Sequence, residues 1–102
     1  MGTRRKSREL AMQMLFQGDL GKQKPEEVET LFWGSREDVD DETRGFADDL
    51  HRLATQREDE VDALIQKHAQ NWRLERMPVV DRNLLRTAVA EMIGYPLSLI
   101  HI

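Results

Sequence analysis

The chain of 102 residues has no cysteine. Disulfide frameworks, thiolate zinc sites and thiol nucleophiles are thereby excluded, and the absence fits a reducing, cytoplasmic setting. No stretch approaches the roughly 18–20 apolar residues that a membrane span needs. The basic opening residues run into an amphipathic pattern rather than an apolar signal-peptide core. Strand signals are also missing: there is no alternating run bounded by turns, no Asn-Gly hairpin and no internal repeat. The expected fold class is all-α.

Signatures of chemistry are equally scarce. The sequence holds no Gly-x-Ser-x-Gly, no P-loop and no dinucleotide glycine fingerprint. Its three histidines, His51, His68 and His101, lack ligand spacing. His68 falls on an apolar phase near a helix end and is expected as a packed or capping side chain. Carboxylate pairs such as Asp40–Asp41 and Asp48–Asp49 are consecutive. On a helix they diverge by about 100° and cannot converge on one atom, so they read as solvated faces. No catalytic residue, metal ligand or cofactor is expected, and the chain does not read as an enzyme.

What is present is a soluble balance, 39% hydrophobic and 33% charged. At this length it supports one small domain with one core. The net charge of −4 conceals an asymmetry: residues 1–9 hold Arg4, Arg5, Lys6 and Arg8 against Glu9 alone, leaving 11 bases and 18 acids for the remainder. A basic tip on an acidic body suggests a local site for anions such as RNA phosphates.

Helical periodicity runs through the chain. Leu10, Ala11, Met14 and Leu15 share one face of a first helix, roughly residues 3–17, ended by Gly18 and Gly21. Pro25, followed by Glu26 and Glu27, opens a second helix that runs to about Trp33 and stops at Gly34. From about residue 42 to 68, Phe46, Leu50, Leu53, Ala54, Val61, Leu64 and Ile65 keep one phase. Arg57 falls inside that stripe, so either its stem snorkels or the chain breaks near Thr55–Glu58. Pro78 starts a last helix that reaches about Ile93. There Leu84, Leu85, Ala88, Val89, Met92 and Ile93 span an arc of about 180°, wider than a surface helix needs. Such an arc calls for neighbours on more than one side, so the natural domain is expected to continue beyond these residues. Leu97–Ile102 has no periodic partner and matches one reading frame of a common transposase adaptor. Residues 97–102 are therefore expected to be a non-native tail, and 1–96 a domain incomplete at its C-terminal end.

The basic tip is the most informative surface. Arg4 and Arg8 are one turn apart on one side of the first helix, whereas Arg5 aligns with Met12 and Phe16. Guanidinium forks grip phosphates, and an exposed aromatic can stack on an unpaired base. Arginines at a helix N-terminus oppose its dipole, which hints at a purpose other than helix stability. The plainer alternative is a solubilising terminus, with Phe16 in a core or interface. Asp81 sits in the first turn of the last helix, where its charge is stabilising. It could also face a basic partner protein. Arg82 and Arg86, four apart, are expected to form a small basic ridge.

Two segments carry a resemblance to a known family. Arg4-Arg5-Lys6-Ser7-Arg8-Glu9-Leu10-Ala11-Met12-Gln13-Met14-Leu15-Phe16-Gln17 looks like the opening helix of the NusB family. Asn71-Trp72-Arg73-Leu74-Glu75-Arg76-Met77, with Val79-Val80-Asp81-Arg82-Asn83-Leu84-Leu85-Arg86, resembles its central segment. The resemblance spans about residues 3–95 and implies a helical bundle with about five of seven helices present. It implies a transcription antitermination factor that binds single-stranded boxA-type ribosomal RNA leader with the ribosomal protein NusE and assembles on RNA polymerase. By position, Arg4, Arg5, Lys6, Arg8 and Phe16 match the RNA-binding start, and Asp81, with Arg82 beside it, matches the partner surface. Family members occur as monomers and as homodimers, and the sequence does not choose. A NusB-like domain also begins some ribosomal RNA cytosine methyltransferases, where it is an accessory RNA-binding part. The Asn71–Met77 stretch favours the free-standing factor.

Overall fold

The computed structural model describes residues 2–36, 38–68 and 76–95. Within them the chain forms five helices: α1 (Gly2–Gly21), α2 (Pro25–Gly34), α3 (Asp41–Gln56), α4 (Glu58–His68) and α5 (Val79–Gly94). The all-α expectation is met. The Asn71–Glu75 part of the resemblance and the 97–102 tail lie outside the described residues.

Each boundary has a local cause. Helix α1 runs through Gly18 and stops only at Gly21. Gly18 faces α2 closely enough that a Cβ there would touch Val28 Cγ2 at 3.4 Å. Beyond Gly21, Lys22 takes a left-handed backbone with φ 51°, and the Gln23 N–H donates to the Gly18 carbonyl. This is a Schellman stop with lysine where glycine is usual. Pro25 occupies the first turn of α2, where its missing N–H costs nothing. The long periodic stretch breaks at Arg57, whose backbone (φ −112°, ψ 31°) leaves the helical region and separates α3 from α4. The Arg57 guanidinium turns outward to Glu60 instead of snorkelling along the apolar stripe. Pro78 precedes α5, as expected.

Helix α1 lies at the centre, packed on α2, α3 and α5, while α4 packs on α5. Two apolar clusters result. Leu10, Met14, Val28, Phe32, Trp33 and Ala47 fill the space between α1, α2 and α3. Leu15, Ala54, Val61, Ile65, Met77 and Ala90 fill the space toward α4 and α5.

Helix α5 is turned the opposite way from a usual amphipathic helix. Its buried residues are Asn83, Thr87, Ala90 and Glu91, one face at helical spacing. The apolar arc faces outward, with Leu84 56%, Leu85 37% and Met92 57% exposed. Val89 and Ile93 reach the core from the edge of that arc. Beside them Leu64, Ile65 and His68 complete an open apolar groove of about 580 Å³. His68 is thus exposed at the end of α4, not packed in the core.

Candidate nucleic-acid interface

The basic tip forms the first two turns of α1, and the structure divides its four cations into different roles. Arg5 and Lys6 are exposed. Arg5 reaches Glu9 only at 3.8 Å, with its side chain 86% exposed. Among the described residues, Lys6 has no ion-pair partner. Arg8 differs: its Nε and Nη2 donate to the two carboxylate oxygens of Glu91 at 2.6 and 2.8 Å. That fork clamps α1 onto the buried face of α5. The hydrogen bond from Arg8 holds the Glu91 carboxyl below its ordinary range, although burial opposes the shift. The same bond raises Arg8. The open Arg4–Arg8 edge expected from spacing is therefore split, because Glu91 occupies most of the Arg8 fork.

Arg4 has a partner that spacing could not reveal. Its guanidinium lies 4.3 Å from the ring centroid of Phe46 on α3 and 5.8 Å from that of Tyr95, just after α5. The two rings are 5.1 Å apart and inclined by 32°. The Tyr95 hydroxyl donates to Asp49 Oδ2 at 3.2 Å. Burial first, then the nearby Asp49 charge, pushes the phenol up, so it stays a neutral donor. Sequence reading missed Phe46 and Tyr95 because they stand on separate elements and share no local pattern.

Phe16 lies elsewhere. Twelve residues along α1 place it about 18 Å from Arg4, on the ridge that Arg5 and Met12 share. Met12, Gln13, Phe16 and Val80 line a small, almost wholly apolar cleft of about 220 Å³ between α1 and α5. Phe16 is half-buried there, and Asp81 is exposed next to Val80. The structure thus brings Phe16 to the Asp81 end of α5 and away from Arg4.

Arg82 and Arg86 do not form the expected basic ridge. Arg82 Nη2 donates to Asp19 at 3.1 Å, and its Nε is buried without a partner among the described residues. Arg86 forks onto Asp62 at 2.8 Å and lies near Asp19 and Glu58. Its side chain is only 11% exposed. The reason is acid brought in by distant elements, Asp19 from α1 and Glu58 and Asp62 from α4, which neutralises both guanidiniums and ties α5 to its neighbours. No three His, Asp or Glu side chains among the described residues converge as metal ligands. None of the helices there is long and apolar enough to cross a membrane.

The NusB family model matches residues 5–97, which take in α1 from Arg5 onward, the cleft and α5. The chain belongs to the NusB family. It is 59% identical over 95 residues to the transcription antitermination protein NusB of Koribacter versatilis, covering 93% of this chain and 65% of that protein. The protein of the same name from Desulforapulum autotrophicum is 44% identical, with 94% and 68% covered. That from Solibacter usitatus is 43% identical, with 90% and 64% covered. The chain therefore spans about two thirds of the length of these NusB relatives. Among solved structures it is similar to a chain of the "Crystal Structure of a Plectonemic RNA Supercoil", with a TM-score of 0.83 and 30% identity over 92% of this chain and 68% of that one.

Proposed function

We propose that this NusB-family chain is the RNA-recognition part of a cytoplasmic, non-catalytic transcription antitermination factor. It binds single-stranded boxA-type ribosomal RNA leader together with NusE and acts by tethering that RNA to RNA polymerase. The observation that carries the reading is the division of α1. One end presents exposed Arg4, Arg5 and Lys6, and the other presents Phe16 in an apolar cleft beside exposed Asp81. The names of the relatives support the same direction.

In this reading Arg4, Arg5 and Lys6 contact RNA phosphates. Arg8, with Nε and Nη2 on Glu91, offers its remaining Nη1 and holds the helix end in place. Phosphate contacts give affinity that falls with salt, and base contacts supply the choice of sequence. Phe16 stacks on RNA or packs on the partner at the cleft. Asp81 pairs with a basic group of NusE, and Arg82, braced by Asp19, positions the start of α5 for that contact.

The test is RNA binding by the complete protein, comparing a boxA strand with a scrambled one, with and without NusE, over a salt series. A preference for boxA that strengthens with NusE is expected. Neutralising Arg5 and Lys6 together lowers the slope of log K against log salt by about 1.4, that is 0.7 for each phosphate released from a single strand. Equal, weak binding to both strands, indifferent to NusE, would overturn the proposal.

A further inference from the structure

The triad of Arg4, Phe46 and Tyr95 assembles from three elements, the N-terminal end of α1, the middle of α3 and the residue after α5. A guanidinium 4.3 Å from a ring centroid lies over the aromatic face. The second ring, 5.8 Å away, limits its sideways movement. Arg4 is nevertheless exposed as a residue, although its guanidinium lies on an aromatic ring. An arginine that served only as a point charge would need no aromatic seat, and a lysine would serve as well. One held on a ring is a rigid, planar, cationic surface with little side-chain freedom left to lose on binding.

We propose that Arg4, seated on Phe46 and Tyr95, is a stacking platform for one unpaired nucleobase of single-stranded RNA. The base lies on the outer face of the guanidinium. The order outward from the protein is then Phe46 ring, Arg4 plane, nucleobase. Guanidinium planes stack on unpaired bases in this manner, and each base-stacking contact contributes strongly to single-strand binding. Exposed Arg5 and Lys6 follow directly in sequence and are placed to take the phosphates flanking that nucleotide. The inference rests on the RNA-binding reading and adds to it a base contact about 18 Å along α1 from Phe16.

The experiment uses the complete protein and two substitutions. Arg4→Lys keeps the charge and removes the plane; Arg4→Ala removes both. The RNA probe is a boxA strand scanned with a single abasic nucleotide at each position in turn. Stacking requires that Arg4→Lys weaken binding about five- to tenfold with an unchanged salt slope. One abasic position must weaken the wild type equally, and must have no further effect on Arg4→Lys. Arg4→Ala then shows a similar loss together with a slope reduced by about 0.7. If Arg4→Lys binds as the wild type does, or if no abasic position is silenced by it, the platform is overturned and the RNA-binding reading stands. If the wild type binds no RNA, both fall together.

Discussion

The Arg8–Glu91 fork gives a demanding test of the packing described above. Glu91 is the buried partner, its side chain 11% exposed against 45% for Arg8. Breaking a fully buried pair from one side costs about 3–5 kcal/mol, and an exposed pair contributes about 0.2–1 kcal/mol. With one partner close to half exposed, the cost must fall between these limits and depend on which partner is removed. Arg8→Ala strands a carboxylate against the core and should cost about 2 kcal/mol. Glu91→Gln leaves a guanidinium that can turn to water and should cost about 1 kcal/mol. The double substitution removes the stranded charge as well, so it should cost less than the sum, with a coupling of about 1 kcal/mol. Because Arg8 lowers the folded-state value of Glu91, this stability is fully present above the ordinary carboxylate range. It is lost as pH falls through the lowered value. Urea unfolding followed by circular dichroism at neutral pH, repeated at successively lower pH, reads all of this. At the lowest pH, wild type and Glu91→Gln should converge. Equal costs for the two single substitutions, full additivity, or a gap that persists in acid would refute the reasoning.

Other consequences can be checked in the same way. Lys22→Asn places at the left-handed position, φ 51°, a residue that tolerates it and should raise stability by up to about 1 kcal/mol; a lower melting temperature would contradict the Schellman stop. Trp33→Phe removes the indole N–H that donates to Asp48 Oδ1 at 2.7 Å and should cost about 1–2 kcal/mol in urea unfolding. It should also raise the Asp48 carboxyl further, since burial already pushes it up and the Trp33 bond is the main opposing influence; an unmoved Asp48 in an NMR titration would refute this. Met92→Lys lies on the outward arc of α5, 57% exposed. In the chain of 102 residues it should change stability by no more than about 0.5 kcal/mol in urea unfolding. A loss of 2 kcal/mol or more would mean that the arc is covered.

The helices were legible in the sequence because their signals are local: the proline before α2, the proline before α5 and the periodic apolar residues of α1. Arg57 marked the α3–α4 break because a charge interrupted an apolar stripe, although pattern alone left two readings open. The orientation of α5 was not legible. Periodicity measures where apolar residues lie, and on α5 the buried face is chosen by what faces it: Arg8 opposite Glu91, and Asp19 and Asp62 around Arg82 and Arg86. The candidate site was legible in composition, as four cations in nine residues. The separate roles of Arg4, Arg5 and Arg8 depend on Phe46, Tyr95 and Glu91, which lie 42, 91 and 83 residues from Arg4 or Arg8 and leave no mark on local spacing.

The outward-turned face of α5 also bears on how the bundle finds a single arrangement. Among the described residues, apolar burial alone would favour rolling α5 about its axis until Leu84, Leu85 and Met92 met the core. In that rotamer of the whole helix the Arg8–Glu91 fork and the Asp62–Arg86 fork would both come apart, since each is anchored to a fixed position on a neighbour. Nonspecific and directional forces therefore oppose each other on this helix, and the directional ones choose the rotation. Ion pairs that add no more stability than apolar packing would, but exclude wrong packings, act as keys. Replacing Glu91 and Arg86 by leucine would remove the keys while leaving the helix intact, and the native rotation would lose its advantage over the rolled one.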